Sequence, residues 1–212
     1  MQGYTKIEYS RNNEVILRNT KGHFITPNSH VNYFIDFCDA KARMKEARAA
    51  GESLAEFYIA SGAIDTILCL NGMEVVGSYL AEKLTQAGVI STNAHKTMYI
   101  TGPEYNVNGQ IMFRDNNKHM ITGKKVLIIS DSVTTGGSLK SALDSVRFYQ
   151  GEVVGIAAIF SVATQIENYP IMSLFSTRDL PDYASYAPDN CPLCKEGVVV
   201  DAICNGFGYS TL

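Results

Sequence analysis

Val126-Leu-Ile-Ile-Ser-Asp-Ser-Val-Thr-Thr-Gly-Gly-Ser138 is an apolar strand that runs into a turn of hydroxyls and glycines and then into a helix. Val126 to Ile129 are β-branched or large apolar residues suited to a fully buried parallel strand. Beyond the turn, Leu139, Ala142, Leu143 and Val146 recur at helical spacing through to Tyr149. Thr134, Thr135, Gly136, Gly137 and Ser138 would then present unpaired backbone N–H groups and side-chain hydroxyls at the positive end of that helix. The glycines permit positive φ and close backbone approach, and the hydroxyls complete an oxygen shell, so the expected ligand is a phosphate monoester. Asp131, just past the strand and flanked by Ser130, is placed to accept hydrogen bonds from sugar hydroxyls.

Working outward, strands alternate with helices. Ala40 to Ile59 reads as a helix rich in Ala, Glu, Lys and Arg, Ala63 to Leu70 as a short buried strand, and Val75 to Ala87 as a second helix. Lys96 to Thr101 is a candidate strand, and Val153 to Val162 a further buried one. This order predicts an α/β fold with a parallel, doubly wound sheet that takes ligands at the carboxyl ends of its strands. Residues 1 to 22 read as a helix or hairpin, and His23 to Phe37 as an extended hairpin. Together they suggest a small N-terminal hood. The expected organisation is a single domain over 1–212: hood elements in 1–40, core in 41–175 and a C-terminal extension in 176–212.

Composition sets the boundaries of this reading. The chain has 212 residues, 46% of them hydrophobic, which is enough for a full core. A net charge of −3, with no Lys/Arg-rich run, offers no nucleic-acid surface. No apolar stretch approaches the length of a membrane span, and no secretory signal is evident, so a cytoplasmic protein without a membrane partner is expected. The five cysteines, Cys38, Cys69, Cys191, Cys194 and Cys204, form an odd, scattered set that suits reduced thiols.

Three further groups have chemical potential. Asn71, Gly72, Met73 and Glu74 lie at a strand end and open a helix, where backbone amides could hold a second anion. Glu74 would oppose that anion unless a divalent cation lay between them. Arg114, Lys118, His119, Lys124 and Lys125 cluster in or near the polar stretch from Gly102 to Lys125, whose length suggests a functional insertion. Cys191-Pro-Leu-Cys194 has the spacing of a metal knuckle or a redox pair. A structural zinc needs four ligands, however. The remaining local candidate is Cys204, and His23, His30, His95 and His119 have no ligand spacing among themselves. The expectation is therefore uncoordinated thiols in a C-terminal loop, with no metal ligand directly predicted.

The quoted run resembles the phosphoribosyl pyrophosphate motif of the type I phosphoribosyltransferases, in the branch that acts on orotate. The resemblance extends over most of the chain. Gly22-His-Phe-Ile-Thr26 with His30 and Tyr33 is similar to the hood segment, Gly151-Glu-Val-Val-Gly155 to the strand after the motif helix, and Asn190-Cys-Pro-Leu-Cys-Lys-Glu-Gly197 to the tail of one branch. It implies a 5′-phosphate site at Thr134 to Ser138, a ribose contact at Asp131 beside Ser130, and a pyrophosphate loop at Asn71 to Glu74. It also implies Mg²⁺ accompanying the sugar donor, a homodimer, and displacement at the anomeric carbon through an oxocarbenium-like state. The CxxC of such tails is not, as a rule, a metal site.

Working positions depart from the pattern. Ser130 replaces the first acid, Gly102-Pro103 an expected Arg-Lys pair, Ser161-Val162 an Asp-Arg, and Ser29 a donor-binding lysine. Asp131, Arg114, Lys118 and His119 remain as catalytic candidates. Two functions fit: transfer of a phosphoribosyl group to a nitrogenous base, orotate or another, and a binding or sensor module that keeps the socket without turnover.

Overall fold

The structure is a computed structural model that describes residues 3–86, 91–94, 96–107 and 109–212. His95 lies outside the described residues. In chain order the elements are β1 (Thr5–Tyr9), β2 (Asn12–Ile25), β3 (His30–Asp36), α1 (Cys38–Ala42), α2 (Met44–Ala55), β4 (Thr66–Cys69), α3 (Glu74–Gln86) and β5 (Tyr99–Thr101). There follow β6 (Glu104–Tyr105), β7 (Ile111–Met112), β8 (Lys125–Val133), α4 (Gly137–Phe148), β9 (Glu152–Ser161), β10 (Gln165–Ile166) and β11 (Tyr169–Ser176). The tail contributes β12 (Ser185–Tyr186), α5 (Pro192–Lys195), β13 (Ala202–Asn205) and β14 (Gly208–Thr211).

The core sheet runs β10-β11-β9-β8-β4-β5, parallel throughout except for the antiparallel edge pair β10 and β11. Successive side chains of a strand point to opposite faces, and β8 shows the consequence. Leu127 and Ile129 enter the layer of α2 and α3 with Leu54 and Leu80, while Val126 and Ile128 enter the layer of α4 with Leu139 and Leu143. Both faces are covered, which is why this strand is apolar at consecutive positions rather than alternating.

Several local expectations change in the folded chain. The helix expected from Ala40 to Ile59 is two helices, broken at Arg43, whose φ of −87° and ψ of 115° are extended. Of the helix-or-hairpin alternatives for residues 1 to 22, the chain adopts the hairpin of β1 and β2, and β2 continues through Gly22. The polar stretch after Gly102 contains the ribbon of β6 and β7 and a 3-10 turn at Lys118–Met120.

The hood is a six-stranded sheet ordered β12-β3-β2-β13-β14, with β1 added on β2. Three of its strands come from the tail. β13 lies parallel to β2, with Ala202 beside Phe24 and Ile203 beside Ile25. Phe24, Val31, Phe34, Ala202 and Cys204 form its buried centre.

The packing of α2 on α3 depends on Gly51. A Cβ added there would lie 2.5 Å from the Val76 carbonyl oxygen and 2.9 Å from the Leu80 nitrogen. Alanine favours a helix interior over glycine by about 1 kcal/mol, but overpacking against backbone costs about 1–3 kcal/mol. Gly51→Ala should therefore lower the melting temperature by a few degrees. A thermal scan showing an unchanged or raised midpoint would contradict this packing.

Candidate functional site

A cleft of about 240 Å³ opens between the hood and the carboxyl end of β8. Its lining combines Ser130 to Leu139, hood residues from Thr26 to Phe37, Asn71, and the tail from Cys204 to Gly208. On the core side, β8 ends at Val133 and the chain turns through Thr134, Thr135 and Gly136. Gly136 takes φ 78°, a left-handed conformation that glycine adopts at little cost, and occupies the N-cap of α4. No side chain caps that helix end, so its first-turn N–H groups face the cleft as donors for an anion. Thr135, Gly137 and Ser138 are exposed there, and Thr134 is half-buried.

Asp131 sits one turn deeper, on β8 itself, and is buried. Its carboxylate is held by donors from the protein. Oδ2 receives Lys41 Nζ at 3.0 Å, while Oδ1 receives Asn71 Nδ2 at 2.8 Å, the Ser132 N–H at 2.6 Å and Ser130 Oγ at 3.4 Å. Lys41, Asn71 and the Ser132 N–H are the close donors, and the one Ser130 hydroxyl proton is shared between Asp131 and the Ser132 carbonyl. Ser130, standing where the resemblance expects an acid, lies closer to the Ser132 carbonyl, at 3.1 Å, than to Asp131.

Lys41 was not among the sequence-derived candidates, yet it is the one cation among the described residues that line the cleft. It is buried and donates to three oxygens: Asp131 Oδ2, the Asn71 carbonyl at 3.0 Å and the Gly206 carbonyl at 2.5 Å. A lysine in an Ala/Glu/Lys/Arg helix reads as surface. Its position next to the buried Ala40 and four residues after the buried Phe37 is the only local sign of an inward face.

The loop after β4 has φ 55° at Asn71 and 80° at Gly72. Its members face different ways. Asn71 is committed to Asp131, Met73 is wholly buried in the core, and Glu74 opens α3 with its carboxylate against Gly102. Tyr105 of the ribbon comes near the same region. Burial, followed by the charges of Asp131 and Glu74, holds its phenol above the ordinary range.

The other cationic candidates are engaged elsewhere. Arg114 pairs with Glu104 across the ribbon, Lys118 with Asp115 at 2.6 Å, and His119 stacks edge-on against Tyr99 with centroids 5.4 Å apart. Lys124 lies over the Tyr99 ring. None of them lines the cleft. Arg114 and Lys118 pair with carboxylates close by in sequence, and His119 and Lys124 pack on Tyr99 at the edge strand β5.

The cysteine and histidine expectation needs correction. His23, His30, Cys191 and Cys194 converge, with one ligand atom from each lying within 4.8 Å of the others. Linear spacing hides this because the histidines lie on β2 and β3, beside one another in the hood, and the tail returns over them. Cys191 caps α5 instead of lying in an irregular loop. Cys204 is not in the cluster. It packs with Phe24 and Phe34, and burial pushes its thiol up to about 11.

A doubly wound parallel sheet with an uncapped helix start at the end of a central strand, under a hood, is an α/β architecture that places ligands at the carboxyl ends of its strands. Residues 41–174 match the family model of the phosphoribosyl transferase domain, and the chain belongs to that family. Among curated relatives, it is 26% identical over 190 residues to the orotate phosphoribosyltransferase of Chlorobium phaeobacteroides, covering 86% of each chain. It is 39% identical over 80 residues to the enzyme of that name from Caldicellulosiruptor saccharolyticus. That match spans 37% of this chain and only 40% of the relative. Among solved structures, an orotate phosphoribosyltransferase of Mycobacterium tuberculosis superposes with a TM-score of 0.54 at 20% identity, over 77% of this chain and 92% of the other. An adenine phosphoribosyltransferase of Rhodothermus marinus gives 0.52 at 16% identity, over 82% and 94%. These two structures share the fold.

Removing the lysine from the Lys41–Asp131 pair leaves a buried carboxylate without its counter-charge. Lys41→Met should cost about 3 kcal/mol. Adding Asp131→Asn should recover part of that loss, because the uncompensated charge is then gone. Urea unfolding of wild type, both single variants and the double variant measures the coupling, and additive losses would show that the pair does not interact.

Proposed function

We propose that the protein transfers a 5-phosphoribosyl group from phosphoribosyl pyrophosphate to a nitrogenous base, orotate or another. The observation that carries this reading is the uncapped, left-handed Gly136 turn at the start of α4, opening on the same cleft as Asp131. In this reading Thr134 to Ser138 hold the 5′-phosphate through backbone N–H groups and hydroxyls, and the diphosphate lies against the backbone of the Asn71 to Glu74 loop, whose side chains face different ways. The base enters under the hood. It attacks the anomeric carbon as the bond to the diphosphate oxygen breaks, and the hood excludes water that would compete with it. The relatives named for orotate, and a Mycobacterium tuberculosis orotate phosphoribosyltransferase solved in complex with phosphoribosyl pyrophosphate, support the donor assignment.

Mg²⁺ fits this reading as a companion of the donor. Magnesium is commonly held by substrate phosphates, water and one or two carboxylates. Asp131 is already bonded to Lys41 and Asn71, and in this reading Glu74, at the start of α3 beside the loop, is the carboxylate that would face the hydrated cation. The ion would neutralise charge on the departing diphosphate. A homodimer acting in the cytoplasm is part of the same proposal. Among the described residues, no helix is long and apolar enough to cross a membrane.

A second reading, a binding module that keeps the socket without turnover, is favoured by one observation. Asp131 is already bonded by Lys41, Asn71 and Ser132, and the one cation among the described residues that line the cleft is bound within the protein. Both readings share the phosphate site. They part at pyrophosphate release.

Incubation with phosphoribosyl pyrophosphate, Mg²⁺ and a panel of bases should release pyrophosphate with at least one base. A ligand-induced melting shift without release from any base would select the binding module. Gly136→Val should weaken ribose 5-phosphate binding about tenfold or more, because a β-branched residue in the left-handed region costs about 1–3 kcal/mol. Calorimetric titration measures this, and an unchanged dissociation constant would remove the socket from Gly136.

A further inference from the structure

We infer that His23, His30, Cys191 and Cys194 form a closed, structural zinc site that fastens the C-terminal tail to the hood. The sulfur–nitrogen distances match those of a coordination sphere. Zinc–sulfur bonds of about 2.3 Å and zinc–nitrogen bonds of about 2.05 Å, arranged tetrahedrally, put ligand atoms roughly 3.3–3.8 Å apart. Here Cys191 Sγ and Cys194 Sγ each lie 3.6 Å from His23 Nε2, and Cys194 Sγ lies 3.3 Å from His30 Nδ1. The two ring nitrogens are 3.1 Å apart.

The protonation pattern points the same way. His23 Nδ1 lies 2.9 Å from the Val198 carbonyl, which can only accept, so Nδ1 carries the proton and Nε2 offers a lone pair to the cluster. A carbonyl that fixes the tautomer from behind is the usual support of a metal-bound histidine. His23, His30 and Cys191 are buried, and the exposed Cys194 leaves a path for the ion to enter. Two sulfurs and two imidazoles suit tetrahedral Zn²⁺, and four protein ligands leave no open position for catalysis. A redox-active CxxC would account for the thiols but not for two imidazole nitrogens directed at them.

The site has a structural consequence. The His23 N–H donates to Asp201 Oδ2, and the Asp201 N–H to the His23 carbonyl, both at 2.8 Å. Immediately beyond, β13 pairs with β2, and Gly206 then reaches Lys41 at the cleft floor. Zinc would therefore hold one end of the segment whose other end closes the cleft, while none of its ligands lines the cleft itself.

Elemental analysis of the intact protein, purified under reducing conditions without chelator, should find about one zinc per chain. Cys194→Ser, at an exposed position, should abolish that zinc, whereas Cys38→Ser should retain it. Wild type stripped and reloaded with Co²⁺ should show the visible absorption and thiolate charge transfer of a tetrahedral S2N2 site, which keeps the test independent of how the variant folds. Stripping should also lower the melting temperature. The inference is overturned by reduced protein that neither contains zinc nor takes up Zn²⁺ or Co²⁺, by zinc that survives Cys194→Ser, or by a Cys191–Cys194 disulfide in the protein as isolated.

Discussion

The buried ammonium of Lys41 ties together four segments of the chain at the floor of the cleft. It bonds Asp131 on β8, the Asn71 carbonyl in the loop after β4, and the Gly206 carbonyl between β13 and β14, while its own backbone belongs to α1. Burying a lone lysine would cost several kcal/mol, and burying a lone aspartate a similar amount. Each is acceptable because the other is present and because carbonyls and amides fill their remaining valences. The tail, the first helix and the two loops at the strand ends are thus held in register by one charge. The cleft inherits its shape from that register.

This arrangement also bears on the chemistry. The socket at Gly136 is built from backbone and needs no counter-charge, so it survives independently of what occupies its surroundings. The ribose end does depend on its surroundings, since a sugar hydroxyl reaching Asp131 competes with donors already placed at 2.6 to 3.0 Å. Turnover would require some of those donors to yield or to turn toward the ligand. Membership of the phosphoribosyl transferase family and the internal bonding of Asp131 therefore weigh on different steps, the first on donor binding and the second on the reaction.

Legibility followed distance along the chain. The strand–turn–helix from Val126 to Tyr149 could be read because its apolar spacing and its glycines are local, and the alternation of strands and helices disclosed the parallel sheet. The hood could not be completed from sequence, because β13 pairs with β2 across nearly the whole chain and is too short to announce itself. Lys41 resembled a surface residue because its partners are three oxygens from remote segments. The charged stretch from Gly102 to Lys125 reads as a functional insertion, but Arg114 and Lys118 find carboxylates within ten residues. His23 and Cys194 are 171 residues apart in sequence and were separable by spacing alone, until the hood strands brought them together.

The account stands on the turn at Thr134 to Ser138 receiving a sugar phosphate. Hydrogen–deuterium exchange with and without ribose 5-phosphate tests this directly, since the first-turn amides of α4 have no partner within their own helix. The account predicts slowed exchange concentrated in the peptide spanning Thr134 to Leu139. Unchanged exchange there, with the ligand at saturation and protection arising elsewhere, would contradict it.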